Sequence, residues 1–258
     1  MSKLPISIFI ITKNEEDRIA NVIKKALTLT DDILVIDSGS SDDTIKIVED
    51  LGAKTLFNEW QGYGQQKIFG ENKCKNKWIL NIDADEEITE ELVTEIKEIF
   101  QNNKHQNYIG FKIKIVNKFF GETKPKKLAY YYNQLRLYNL NHAGFKNSSI
   151  HDSVIIKEGS SGEIGQLKNI IEHKSFKSLS HWIDKINFYS ELQSLDSFKK
   201  NKYPTHLKII LTVIISFLKA YLVRRYFIYG FSGVYYSAIF SFSRFLKLIK
   251  IREKFNKL

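Results

Sequence analysis

The sequence contains little cysteine and little proline. Its one cysteine, Cys74, excludes an internal disulfide and a zinc cluster held by several thiolates, and it is typical of a reducing compartment. Only three of the 258 residues are proline, whereas 43% are apolar and 13% aromatic, so a mainly disordered chain is excluded. The apolar run at 6–11 is too short for the hydrophobic region of a secretory signal, and we expect no such signal.

Acidic residues are almost absent from the last sixty positions. Residues 199–258 hold 13 Lys and Arg, one Glu, and 13 Tyr and Phe, whereas residues 1–150 hold 21 basic and 21 acidic residues. The net charge of +10 therefore belongs to the C-terminal segment. A basic and aromatic composition suits anionic lipid or nucleic acid, and no nucleic-acid-binding motif accompanies it. We predict an anionic membrane surface as a partner, and no nucleic acid.

The first hundred residues alternate apolar runs of strand length with stretches of helical spacing, which predicts an α/β fold with parallel strands. The predicted strands are 6–11, 33–36, 54–57 and 78–82. Asn14 is predicted to cap the helix after the first strand. Alternating apolar residues at 109–115 predict a strand with one exposed face, and hence a mixed sheet. Residues 117–150 are predicted to be an irregular loop region.

Polar residues follow three of the predicted strands, at the edge where open parallel sheets bind ligands. The first strand ends at Thr12, the second at Asp37, and the fourth is followed by Asp83 and Asp85. Two carboxylates at positions i and i+2 can share a divalent ion, and hard oxygen ligands suit Mg²⁺ or Mn²⁺. Thr12 is followed by Lys-Asn-Glu rather than by a glycine-rich G-x-G-x-x-G turn, which disfavours a dinucleotide oxidoreductase.

These motifs, in this order and at this spacing, resemble those of family-2 glycosyltransferases with a GT-A fold. The resemblance is narrower to the bacterial lipopolysaccharide core β-glucosyltransferase branch. It is strong over about residues 5–100 and weaker to about 195. The motifs that carry it are IFIITKNE at 8–15, VIDSGSSD at 35–42, GYGQQK at 62–67 and LNIDADE at 80–86.

The resemblance implies a Rossmann-like, nucleotide-sugar-binding mixed sheet with flanking helices. A GT-A catalytic domain would span 1–198, with a nucleotide-sugar half at 1–105 and an acceptor half at 106–198. A helical, basic and aromatic extension would occupy 199–258. The resemblance also implies a donor site for a UDP-sugar, formed by Thr12, Asn14, Glu15, Asp37, Lys67 and Asp83.

The remaining site residues are likewise implied by the resemblance. Asp85 would bind the metal, with Asp83 and His173 as further ligands. Asp152 would be the general base, at a position where the related branch usually has Glu, and His151 and Arg136 would contact the acceptor.

The implied activity is an inverting transfer of a hexose from a UDP-sugar to a lipid-linked saccharide, the lipopolysaccharide or lipooligosaccharide core. A polyprenyl-phosphate acceptor and a non-catalytic membrane scaffold remain alternatives. We expect a cytoplasmic protein that is peripheral on the inner face of the bacterial plasma membrane. The uncharged run at 209–218 has about half the length of a spanning helix, so we expect the extension to lie at the membrane interface or to pack on protein.

Overall fold

The computed structural model describes residues 3–147 and 153–256, which form two compact units. The first unit takes the chain up to Val116 together with Tyr131–Ser175, and the second takes Asn117–Tyr130 and the chain from Phe176 onward. The second unit therefore includes residues 117–130 and 176–198, which the sequence analysis assigned to the catalytic domain.

An eight-stranded mixed sheet forms the centre of the first unit, in the order β3-β2-β1-β4-β7-β6-β10-β5. Strands β1 to β4 are parallel, whereas β7 is antiparallel to both β4 and β6. A separate hairpin pairs β8 with β9. The strands are β1 Ile6–Thr12, β2 Asp32–Asp37, β3 Lys54–Phe57, β4 Trp78–Asn81, β5 Glu86–Ile88, β6 Tyr108–Asn117, β7 Tyr131–Asn139, β8 Ala143–Phe145, β9 Val154–Ile156 and β10 Glu163–His173.

The helices of the first unit cover both faces of this sheet. They are α1 Ile19–Ala26, α2 Thr44–Asp50, α3 Tyr63–Glu71 and α4 Glu90–Gln101. Strand β1 is apolar on both faces: Ile8 and Ile10 join the core cluster that contains α1 and α4, and Phe9 points to the opposite cluster beside α3. Burial on both faces is what a central parallel strand requires, and it explains the nearly continuous apolar run.

Two local predictions were wrong. Asn14 does not cap α1, because the helix begins at Ile19 and Asn14 itself has a left-handed backbone with φ of 56°. The region 117–150 is not irregular throughout, since it contains β7 and β8. In β7 the polar residues Asn133 and Gln134 are adjacent and both exposed, so the sequence lacks the apolar alternation that marks a strand.

The second unit is helical around an aromatic cluster. Its long helices are α5 Leu179–Lys199, α6 His206–Leu218 and α7 Phe231–Asn256. Phe119 stacks on Tyr236 with ring centroids 4.1 Å apart, and Trp182 and Tyr226 complete the buried core. The helix of α6 continues as a π turn to Val223, and His206–Val223 is long and apolar enough to cross a membrane by length and composition. The ten-residue run seen in the sequence underestimates this helix.

Candidate active site

The ends of three parallel strands meet at one edge of the sheet. Thr12 and Asp37 are paired directly, as the last residues of β1 and β2. Strand β4 lies parallel to β1 on its other side, so Asp83 and Asp85 leave the sheet at the same edge. The topology therefore brings together the polar residues that the sequence places after separate strands.

The loops after β1 and β2 are joined by hydrogen bonds. The Asn14 side-chain oxygen accepts from the Ser41 amide at 2.8 Å, and the Asn14 amide donates to the Ser40 hydroxyl at 2.9 Å. The Glu15 amide donates to the Thr44 hydroxyl at 2.8 Å. Asn14 and Glu15, both predicted at the nucleoside, thus belong to one platform built from the two loops.

Asp37 organises the second of these loops. Its carboxylate accepts the backbone amides of Gly39 and Ser40 at 2.8 and 2.9 Å and the Ser40 hydroxyl at 2.5 Å. Thr12 is buried beside it at the strand end, and its hydroxyl has no hydrogen-bond partner within 3–147 and 153–256. A buried polar atom of this kind is a potential contact for a bound ligand.

Asp83 lies between two buried cations. The Lys67 ammonium is 2.8 Å from Oδ1 of Asp83, and the Arg136 guanidinium is 3.3 Å from Oδ2. Burial raises the pKa of Asp83, but the charges of Lys67 and Arg136 outweigh it and lower that pKa to about 2. Lys67 is fully buried and also lies over the Phe145 ring at 5.2 Å. Asp83 is therefore a fixed, ionised acceptor.

Arg136, which the sequence placed at the acceptor, connects β7 to this turn. Its guanidinium donates to the Asn81 side-chain oxygen at 2.6 Å and to Oε1 of Glu86 at 2.8 Å. Oε2 of Glu86 accepts the backbone amide of Asp83 at 2.9 Å. Burial raises the pKa of Glu86 above its usual value, although the charge of Arg136 opposes this rise. Arg136 and Glu86 together hold both the side chain and the backbone of Asp83.

Asp85 faces a different set of partners. Its Oδ2 atom lies 3.3 Å from Nε2 of His173 and 3.7 Å from the Arg18 guanidinium. Strand pairing explains the first contact, because β5 is antiparallel to β10 and His173 pairs with Glu86. Arg18 also donates to Glu15 and to the Lys174 carbonyl, which links the β1 loop to β10.

The Asp85 and His173 pair fits a divalent ion. Adjacent ligands on an octahedral ion with bonds of about 2.1 Å lie about 3 Å apart, which is close to the 3.3 Å observed here. The Asp83 carboxylate, predicted as a third ligand, instead faces Lys67 and Arg136. No group of three His, Cys, Asp or Glu arranged for a metal occurs within the described ranges, so a bound substrate or water would complete the coordination.

The predicted acceptor side lies only partly within the described residues. His151 and Asp152, predicted to contact the acceptor and to act as base, lie outside the described residues. Ser153, the first described residue after them, lines a cavity of about 280 Å³ together with Arg136 and Phe145. The predicted contact between Arg136 and the acceptor stays a prediction, since this residue borders the cavity while its guanidinium is held by protein partners.

Sequence reasoning missed Glu86 and Arg18 as site residues. Glu86 is 2% exposed and Arg18 is 8% exposed, although charged side chains are rarely buried unless they are paired. The only signal for Glu86 is the excess of acid in the run Asp83 to Glu87. Arg18 shows no signal, because apart from Glu15 its partners are distant in sequence, on the residue that follows β10 and on the turn after β4.

The eight-stranded mixed sheet and the aspartates that follow β4 define a GT-A-like fold. The family model described as "Glycosyl transferase family 2" matches residues 7–158. The chain belongs to this family, and its reaction class is the transfer of a sugar. The predicted family and fold are confirmed.

Relatives span nearly the whole chain. An uncharacterized glycosyltransferase of Rickettsia typhi is 43% identical over 253 residues, which cover 96% of this chain and 87% of the relative. The lipopolysaccharide core biosynthesis glycosyltransferase LpsC of Rhizobium meliloti is 27% identical over 265 residues, 98% of this chain and 93% of LpsC. The structure of S. aureus TarS 1–349 with UDP-GlcNAc matches with a TM-score of 0.51 and 14% identity, covering 98% of this chain and 92% of TarS.

Proposed function

We propose that the protein transfers a hexose, with inversion, from a UDP-sugar to a lipopolysaccharide or lipooligosaccharide core acceptor at the inner face of the bacterial plasma membrane. The observation that carries this proposal is the strand-edge site, in which Asp83 is fixed by two cations and Asp85 lies beside His173. The similarity to LpsC over 98% of the chain supports a lipopolysaccharide core acceptor.

A UDP-sugar fits this edge of the sheet because its two parts need different groups. The nucleoside needs hydrogen-bonding groups, and the buried hydroxyl of Thr12, which lies beside Asp37 and has no hydrogen-bond partner among the described residues, can supply one. The diphosphate needs positive charge, which a divalent ion held by Asp85 and His173 would supply as the leaving group departs. TarS, which shares the fold, is seen in complex with UDP-GlcNAc.

In the proposed reaction, an acceptor hydroxyl attacks the anomeric carbon of the donor sugar from the face opposite the diphosphate. A carbon–oxygen bond forms to the acceptor, the bond to the diphosphate breaks, and the nucleoside diphosphate leaves with the bonding electron pair. Asp152 takes the acceptor proton as general base. Asp83 holds the donor through its fixed carboxylate and does not itself carry the proton, because its pKa of about 2 keeps it ionised.

Two measurements test the proposal. A thermal-shift screen of UDP-sugars with and without Mn²⁺ should show a melting temperature raised by one sugar in the presence of the ion, because a ligand that binds only the folded state stabilises it. Transfer of labelled sugar to core acceptor should then fall at least 100-fold in Asp85→Asn and Asp152→Asn. The exposed Asp31→Asn is the matched control for the charge change.

The acceptor assay also separates the alternatives. Label recovered in polyprenyl phosphate rather than in the core saccharide would favour the polyprenyl-phosphate transferase. Binding of UDP with Mn²⁺ but without transfer to any membrane extract would favour a scaffold. Transfer that continues unimpaired in EDTA would contradict the metal-dependent reaction.

A further inference from the structure

An apolar stripe runs along the outside of the helix formed by α6 and its π turn. Of the 18 residues of His206–Val223, only 17% are buried. The large apolar residues on its surface recur every three or four positions, which places them on one face of the helix. They are Leu207, Ile210, Leu211, Ile214, Ile215, Leu218 and Leu222, and each is 44% to 66% exposed.

The opposite face of α6 already has a protein partner. Ile209 is buried with Leu248 and Ile251 of α7, and the Ser241 hydroxyl of α7 donates to the Val213 carbonyl at 2.7 Å. Within the second unit, one face of α6 is therefore buried against α7, and the apolar stripe on the other face is exposed to solvent. A stripe of this size is larger than the scattered apolar residues of an ordinary soluble surface.

Basic residues border the stripe. Lys208 and Lys219 are the only charged Lys, Arg, Asp or Glu residues in 206–223. They are eleven residues apart, which is about three helical turns, so they lie on the same flank of the helix. After the π turn, Arg225 donates to the Leu128 carbonyl at 3.4 Å, which brings the exposed Lys126 and Lys127 to this end of α6. The charge that accompanies the stripe is thus positive.

We propose that α6 lies in the interface of an anionic phospholipid bilayer, with the stripe among the upper acyl chains and the flanking lysines at the phosphates. This assignment deepens the proposed function, on which it rests only in that the acceptor is lipid-linked. Apolar area and positive charge on one surface are the two contributions that bind an interfacial helix to anionic lipid.

Two other occupants fit the charges less well. In a helix that spans the bilayer, Lys208 and Lys219 would be about 16 Å apart along the axis, against a hydrocarbon thickness of about 30 Å, so both side chains would have to stretch in opposite directions to reach the two interfaces. A second copy of the chain docked stripe to stripe would bring like charges together, because residues 199–258 contain one acidic residue, Glu253.

The test is co-sedimentation of the full chain with vesicles of phosphatidylglycerol and phosphatidylcholine, compared with phosphatidylcholine alone. Wild type should bind the anionic vesicles at least tenfold more strongly, and added salt should weaken that binding. Ile214→Ser with Leu218→Ser should reduce binding at least tenfold. Leu192→Ser with Leu195→Ser, which changes two similarly exposed leucines of α5, should leave it unchanged.

Charge and folding are tested separately. Lys126→Glu with Lys127→Glu should reduce binding to anionic vesicles at least tenfold and leave weak binding to neutral vesicles unchanged. Every variant should keep the rise in melting temperature with UDP-sugar and Mn²⁺. A variant that loses this rise is misfolded, and absence of the rise in wild type contradicts the proposed function and not the docking surface. The docking proposal is overturned if the α6 variant binds vesicles as wild type does, if neutral and anionic vesicles bind equally, or if the variant instead abolishes a lipid-free dimer.

Discussion

The ammonium of Lys67 lies 2.8 Å from Oδ1 of Asp83, inside the protein. Lys67 is on α3 and Asp83 follows β4, so the pair fixes the acidic turn against a helix on the sheet face. One turn further along α3, Glu71 accepts the backbone amide of Phe145, whose ring is contacted by Lys67. Helix α3 therefore supports both the acidic turn after β4 and the hairpin of β8 and β9.

Lys67→Met should destabilise the protein and impair donor binding. The substitution leaves Asp83 with one cation instead of two, and we expect a loss of about 2 kcal/mol in the free energy of unfolding because the carboxylate is only partly exposed. Urea denaturation measures the loss. The exposed Lys24→Met, on α1, is the control and should change this free energy by less than about 0.5 kcal/mol. Equal stability of the two variants would show that the pair contributes no net free energy.

The sequence predicts β1, β2 and β4 well because these strands are almost entirely buried. The strand Ile6–Thr12 is apolar at nearly every position, which is the pattern of a strand that is buried on both faces. Its end is marked by the polar residues that begin at Thr12. The same reasoning predicts that Thr12, Asp37, Asp83 and Asp85 lie at one edge of the sheet, and the strand order brings them there.

What could not be predicted depends on contacts between distant parts of the chain. Lys67 has an ordinary place in a helix sequence, and only the packing of α3 on the sheet buries its ammonium against Asp83. Asn14 is a residue type that often caps helices, but here it holds the β2 loop, five residues before α1 begins at Ile19. The partners of Arg136 lie 50 to 55 residues away, at the end of β4, in the turn after it and at the start of β5.

Arg136→Lys should reduce transfer although it keeps the charge. A lysine has no planar fork and cannot hold Asn81, Asp83 and Glu86 at once. Because Arg136 acts through Asp83, we expect kcat/KM to fall about 10- to 100-fold, the range for groups that orient a ligand-binding side chain. The larger change should be in the KM of the donor. A fall confined to the KM of the acceptor would instead support direct contact of Arg136 with the acceptor.

His173→Ala should raise the Mn²⁺ concentration that activity requires and should change the stability of the fold only slightly. His173 is partly exposed beside Asp85, so its removal creates little buried cavity. We expect the Mn²⁺ concentration for half-maximal activity to rise about 10-fold or more, with the melting temperature without metal changed by less than about 2 °C. His206→Ala, on α6 of the second unit, is the control. An unchanged Mn²⁺ requirement would remove His173 from the metal site.

Glu71→Gln should flatten the dependence of stability on pH. Burial raises the pKa of Glu71, and the hydrogen bonds from Tyr138 and the Phe145 amide lower it by less, so the folded value lies above the unfolded value of about 4.3. A raised carboxyl pKa contributes stability that is fully present below about pH 4.3 and is lost as the pH rises through the folded value. Glutamine cannot ionise, yet its side-chain oxygen can still accept from Tyr138 at 2.5 Å and from the Phe145 amide. The free energy of unfolding of wild type relative to Glu71→Gln should therefore fall between pH 4 and pH 7 in denaturant titrations. Glu98→Gln, on the exposed face of α4, is the matched control, and the prediction is contradicted if the two variants show the same pH profile.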